Sequence, residues 1–115
     1  MLVYDKAHEL AAQIKQSEEY KEYDRLKAPV MADETNRKLI TEYKKLQLEA
    51  QAAYLSGSEP NNDMMDKLKT LGGLLGFNPD VAAYLAAEYK LQTMVGDVYK
   101  IIGDACGIGL DFLSE

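Results

Sequence analysis

The sequence predicts an all-α fold, a four-helix antiparallel bundle with a long hairpin formed by its first two helices and a short irregular C-terminal tail. Three observations lead there. Apolar residues recur three and four positions apart along most of the chain, the period of a helix with one buried face. The three prolines, Pro29, Pro60 and Pro79, each fall between two such patterns, and proline suits helix ends and loops better than helix interiors. No stretch alternates apolar and polar residues long enough to argue a strand.

The first helix is expected from about Leu2 to Lys27. Val3, Ala7, Leu10 and Ile14 mark its seam, and Ala28 before Pro29 is biased away from helix. Within it, the stretch SEEYKEY (Ser17 to Tyr23) replaces the aliphatic seam with a serine and two tyrosines, which reads as a helix changing its packing partner. Asp33 can cap the second helix, which runs to about Ser56 along Leu39, Tyr43, Leu46, Ala50 and Ala53, with Gly57 as its C-terminal stop. The third spans about Asn62 to Leu75, weakened by Gly72 and Gly73, with Met65, Leu68, Leu71 and Leu75 facing inward and Gly76 as its stop. Asn78-Pro79-Asp80 then starts the fourth, a cap followed by a proline in the first position and an acid in the first turn. That helix is expected to end near Ile102, because Gly103, Gly107 and Gly109 follow closely. The domain reading is one helical domain over residues 1–103 and a Gly-rich tail over 104–115.

Helix lengths bear on assembly. The first two helices would each be about 35 Å long and the third nearer 20 Å, at about 1.5 Å per residue. The long pair would overhang, exposing Tyr20, Tyr23, Leu26, Leu39, Ile40 and Tyr43. A second chain covering that surface is the economical solution, so a homodimer or a hetero-oligomer with a close relative is expected.

The totals narrow the function classes. Thirteen basic residues are interleaved with nineteen acidic ones, for a net charge of −6. That balance argues against direct nucleic-acid binding, which draws on clustered Lys and Arg, and against an anionic membrane surface. No segment has the roughly 18 consecutive apolar residues of a membrane span, and MLVYDKAHEL lacks a signal-peptide layout. A cytoplasmic location is expected.

Few residues suggest chemistry. His8, the single histidine, lies just past the first seam, and catalysis by histidine needs a partner that the sequence does not place. Glu88 lies on the apolar stripe of Tyr84, Leu85, Leu91, Val95, Val98 and Ile102. A buried carboxylate needs a donor such as a tyrosine hydroxyl, a cation or Ser17. Ser17 and Glu88 are therefore candidate buried polar residues. Glu88 fits either a contact fixing helix register or a catalytic acid or metal ligand, and the latter needs a second acid or a histidine opposite. Cys106, the one cysteine, is either a small residue in a glycine-rich end or a thiolate giving one ligand to a metal or iron–sulfur cluster. The remaining ligands would have to come from other chains. The runs DETNRK and EYKK read as solvated faces. The sequence holds no DxDxDG, GxxxxGK[ST], GxSxG, HExxH or CxxC motif, and no enzyme is expected.

The stretch AHELAAQIKQSEEYKEYDRLKAPVMADETNRKLITEYKKLQLEAQ, together with the segment FNPDVAAYLAAEYKLQTMV, resembles the YlbF/YmcA family of small helical proteins of Gram-positive bacteria. The matching features are the Ser17-Glu18-Glu19-Tyr20 run, the short turn from Lys27 to Asp33, a Gln-rich helix ending at Gly57, Asn78-Pro79, Tyr84-Leu85 and Glu88. The resemblance implies a helical, self-associating or paralogue-pairing regulatory protein. It implies a complex with a YaaT-like protein that modulates ribonuclease Y-dependent RNA processing, and through it competence, sporulation and biofilm development. It also implies association with iron–sulfur clusters, in which Cys106 alone could take part. The expected function is a non-enzymatic adaptor acting through helix-mediated contacts. The competing reading is a stand-alone helical oligomer with a structural or chaperone-like role and no cluster.

Overall fold

A computed structural model describes residues 1–59 and 61–108. Among them the chain is helical throughout, with five helices where the sequence suggests four. These are α1 (Leu2–Lys15), α2 (Glu18–Ala32), α3 (Glu34–Leu55), α4 (Asn62–Gly76) and α5 (Pro79–Cys106).

The extra helix arises at Ser17. The expected continuous helix from Leu2 to Lys27 ends at Lys15, and a new one begins at Glu18. The Ser17 hydroxyl donates to the Ile14 carbonyl at 2.5 Å and accepts from the Tyr20 amide at 3.2 Å. One side chain thus serves the last turn of α1 and the first turn of α2. A serine oxygen that bonds nearby backbone groups competes with helix continuation and suits an N-cap. Glu18 and Glu19 then occupy the first turn of α2, where negative charge favours the helix dipole.

The expected break at Pro29 does not occur, because α2 continues through it to Ala32. Proline in a helix interior removes one hydrogen bond and crowds the carbonyl four residues back. Here that residue is Arg25, which is exposed, as is Pro29, so water can serve the carbonyl that proline leaves unbonded. The helix closes three residues later, and Asp33 caps α3 by accepting from the Asn36 amide at 2.9 Å.

The remaining ends follow local rules. Gly57 takes a φ of +86° after α3. Its amide bonds the Tyr54 carbonyl and the Ser58 amide bonds the Ala53 carbonyl, at 3.1 and 2.9 Å, the paired bonds of a Schellman end. Asn61 caps α4 through the Met64 amide at 2.7 Å. Asn78 caps α5 through the amides of Asp80 and Val81 at 3.0 and 3.3 Å. Helix α5 passes the expected stop near Ile102 and runs to Cys106. Gly103 is buried inside it, and the stop is Gly107, at φ +70°. The rest of the expected irregular tail, from residue 109 on, lies outside the described residues.

The chain divides into two compact units, with boundaries inside α2 and α5. One holds Met1–Leu26 with the chain from Tyr84 onward, and its buried residues include Leu26, Tyr84 and Ala87. The other holds Lys27–Ala83. In it α3 packs on α4, and Val30, Ile40, Leu46, Leu75 and Val81 are buried. These are the second and third expected helices, so this pair is not the hairpin foreseen between the first two. The Tyr43 ring lies beside Gly72, 3.5 Å from where a Cβ would stand.

Two glycines give opposite expectations. Nothing lies within 4 Å of a Cβ built on Gly73, so Gly73→Ala should stabilise the protein by about 0.5–1 kcal/mol through helix propensity. Gly57→Ala should destabilise it by about 1–2 kcal/mol, because alanine resists the left-handed region. Urea denaturation of both variants checks the pair, and a neutral Gly57→Ala would contradict the Schellman assignment.

Candidate functional site

A side-chain cluster joins the first turns of α2 to the first turns of α5, inside the first unit. Tyr20 and Tyr23 stand three apart on α2, so both rings fall on one side of the helix, with centroids 6.5 Å apart. Tyr84 and Glu88 stand four apart on α5. The Tyr84 ring is only 1% exposed and stacks on Tyr23, with centroids 5.6 Å apart and planes at 25°. Its hydroxyl donates to Glu88 Oε2 at 3.3 Å.

The electrostatics fix which partner carries the proton. Burial pushes the Tyr84 hydroxyl well above its ordinary value, and a hydrogen bond with Tyr23 and the negative charge of Glu88 push it further. Tyr84 therefore remains a phenol donor throughout the physiological range. A phenol held this weakly acidic is a poor proton source for catalysis. No group of three or more His, Cys, Asp or Glu side chains able to hold a metal occurs among the described residues. The stack of Tyr23 on Tyr84 joins α2 to α5, and the contact of Tyr84 with Glu88 lies within α5.

The structure distributes the expected site residues widely. Ser17 and Glu88, foreseen as buried polar residues, are both half-buried, the first as a helix cap and the second as the acceptor for Tyr84. Of the six residues foreseen as an exposed interface, Leu26 and Ile40 are buried, while Tyr20, Tyr23, Leu39 and Tyr43 are half-buried. His8 is exposed on α1. Cys106 is exposed as the last residue of α5, and as the one cysteine of the sequence it offers a single thiolate.

Two features escaped sequence reasoning. One is an open groove of about 370 Å³ along α2 and α5, lined by Glu19, Tyr89, Lys90, Thr93, Met94 and Asp97. The spacing 90, 93, 94 and 97 is that of one helix face and was legible as such, but its distant neighbour Glu19 was not. The other is α1, which has no buried residue. Leu2, Val3 and Tyr4 are all more than 60% exposed, although Val3 belongs to the seam that the sequence marks as packed. Leu10 and Ile14, further along that seam, are half-buried.

The cluster predicts a graded loss. Tyr84→Phe keeps the stack and drops the bond to Glu88, costing about 1 kcal/mol. Tyr84→Ala also opens a cavity, costing about 3–5 kcal/mol. In alkali the sign follows from the raised value. The unfolded chain loses the Tyr84 proton near pH 10 while the folded chain still holds it, so this contribution is intact below that pH and is lost as pH rises above it. Native stability should therefore fall more steeply in strong alkali than that of Tyr84→Phe, by up to ~1.4 kcal/mol per pH unit. Denaturant titrations at pH 9 to 11 would show it, and parallel slopes would contradict the buried phenol.

Comparison with known proteins places this architecture. A family model described as control of competence regulator ComK, YlbF/YmcA, matches residues 3–106. A UPF0342 protein of Symbiobacterium thermophilum is 36% identical over 110 residues, covering 96% of this chain and 98% of the relative. Another from Desulfitobacterium hafniense is 38% identical over 105 residues, covering 91% and 85%. The fold matches a solved structure described as a protein of unknown function (DUF964) from Bacillus stearothermophilus, with a TM-score of 0.73 over 93% of this chain and 94% of that one. At 20% identity that likeness speaks for the fold. With the all-helical architecture and the family match running from α1 to the end of α5, the chain belongs to the YlbF/YmcA family.

Proposed function

We propose that this protein is a non-enzymatic regulatory adaptor that acts through helix-mediated contacts, either as a homodimer or paired with a paralogue. In this reading it joins a YaaT-like protein in a complex that modulates ribonuclease Y-dependent RNA processing, and so competence and development. The observation that carries the reading is α1. An amphipathic helix of 14 residues that buries none of them gains little from its own chain, and apolar helix faces of this kind are a recurring surface for partner helices. The family's description as a control of a competence regulator points the same way. No helix among the described residues is long and apolar enough to cross a membrane.

The test is capture of the tagged protein from its own host cells without oxygen. A paralogue and a YaaT-like protein should co-purify with the native chain. The double variant Leu2→Glu with Tyr4→Glu should lose them while keeping its helix content and its unfolding midpoint within ~0.5 kcal/mol, because both residues are exposed. A native chain that elutes as a homo-oligomer with no other protein would sink the adaptor reading in favour of a stand-alone structural role. Partners retained by the double variant would show that α1 is not the contact surface.

A further inference from the structure

The groove between α2 and α5 lies wholly within the first unit, and its lining includes no residue of α1 or of the Tyr23–Tyr84 stack. Its α5 wall runs from Tyr89 to Asp97, a length of about 12 Å or just over two helical turns. Tyr89 is 71% exposed and Met94 is half-buried, so a ring and a flexible thioether form its apolar part. The Thr93 hydroxyl turns back to its own helix and donates to the Tyr89 carbonyl at 2.9 Å. Glu19, Lys90 and Asp97 remain as its charged groups. The pairs Lys6–Glu9, Arg25–Glu22 and Lys38–Glu34 form elsewhere, and no ion pair among the described residues engages these three. They are open to a ligand from outside.

Charge selects the occupant. The described part of this unit, residues 1–26 and 84–108, carries nine acidic and six basic side chains, whereas residues 27–83 carry eight and seven. The groove itself sets two carboxylates against one ammonium, and Glu18 adjoins Glu19 in the first turn of α2. We propose that this groove binds a basic amphipathic helix of a partner protein, which lays an apolar side chain on Met94 and Tyr89 and sets lysine or arginine against Glu19 and Asp97. A helix in a groove is anchored by residues spaced i, i+4 and i+7, and two turns of wall match that span. A cation over the exposed Tyr89 ring adds attraction to its face. Lys90 does not bar the way, because its long stem can cover the apolar wall while its ammonium stays in water. A second copy is the poorer occupant. It brings the same acidic unit, and its α1 offsets Lys6 and Lys15 with Asp5 and Glu9. Nucleic acid is repelled by the same carboxylates. The groove shares no residue with the α1 contact surface, so either reading can fail without the other.

The probe is a fluorescent peptide of two LKKLLKL heptads, a basic helix with one apolar face. Its controls are the acidic counterpart, with glutamate for every lysine, and a scrambled peptide of the same composition without an apolar face. Anisotropy at low salt reads the affinity, and the Met94 methyl and Tyr89 ring resonances locate the contact. The basic helix should bind the native full-length chain roughly tenfold tighter than either control and shift both resonances. Glu19→Gln with Asp97→Asn should weaken binding roughly fivefold, and Tyr89→Ala roughly tenfold. Helix content should not change, because Tyr89 and Asp97 are exposed and Glu19 is half-buried in a first turn. Asp24→Asn with Asp104→Asn removes the same charge from exposed positions outside the groove, and should weaken binding by less than about twofold through the screened field alone. Equal losses from the two neutralised pairs would overturn the proposal in favour of diffuse attraction to an acidic surface. So would a basic helix that binds no better than its controls, or one that shifts α1 resonances and leaves Met94 and Tyr89 unmoved.

Discussion

The Ser17 hydroxyl, bonded to the carbonyl of Ile14 on one side and the amide of Tyr20 on the other, is the constraint on which the arrangement of the first 32 residues depends. It closes α1 and opens α2 with one oxygen. Because α2 starts there, Tyr20 and Tyr23 belong to a helix that carries them to Tyr84, and α1 is left as a separate helix with no buried residue. The Tyr23–Tyr84 stack and an amphipathic helix with no buried residue are thus two results of the same local bond.

Both compact units rely on aromatic rings at places where helices approach. In one, Tyr84 is buried, stacked on Tyr23 and hydrogen-bonded to Glu88. In the other, Tyr43 lies over the side-chain-free position of Gly72 on α4. A tyrosine brings a large apolar ring and a hydroxyl that must find a partner when covered, so it specifies an orientation as well as filling space. The carboxylate on the α5 stripe is part of that specification. Its proton-holding partner sits on the same helix, one turn away, so the polar contact costs no long-range ordering and still depends on Tyr84 keeping its rotamer under Tyr23.

The legible parts of the fold were those written in a few adjacent residues. Asp33, Gly57 and Asn78-Pro79 mark helix ends because their chemistry acts on backbone groups within four residues, and each does so in the structure. Ser17 has the same chemistry, yet the apolar pattern on either side argued for continuity and the reading followed the pattern. Pro29 misled in the other direction. Its penalty is real, but an exposed final turn bears it, and nothing local says that α2 is held well enough to do so. Gly103 belongs to the same class of error, since a glycine in a long helix can be a site of close packing as readily as an end. For the candidate site, the need of Glu88 for a donor was legible, and a tyrosine hydroxyl was among the donors expected. The Tyr23–Tyr84 stack joins residues sixty-one positions apart and had no signature in either helix alone.

The exposure of α1 also has a bearing on how the protein changes over generations. Residues that bury surface in their own chain are filtered by folding, so their drift is slow whatever the protein binds. Leu2, Val3 and Tyr4 bury little, and substitutions at such positions pass that filter almost freely. Any restraint on their variation would have to come from the molecule they meet. Among related proteins, the pace at which these three positions diverge would then track the divergence of the partner, and α1 would carry the record of that association more faithfully than the core does.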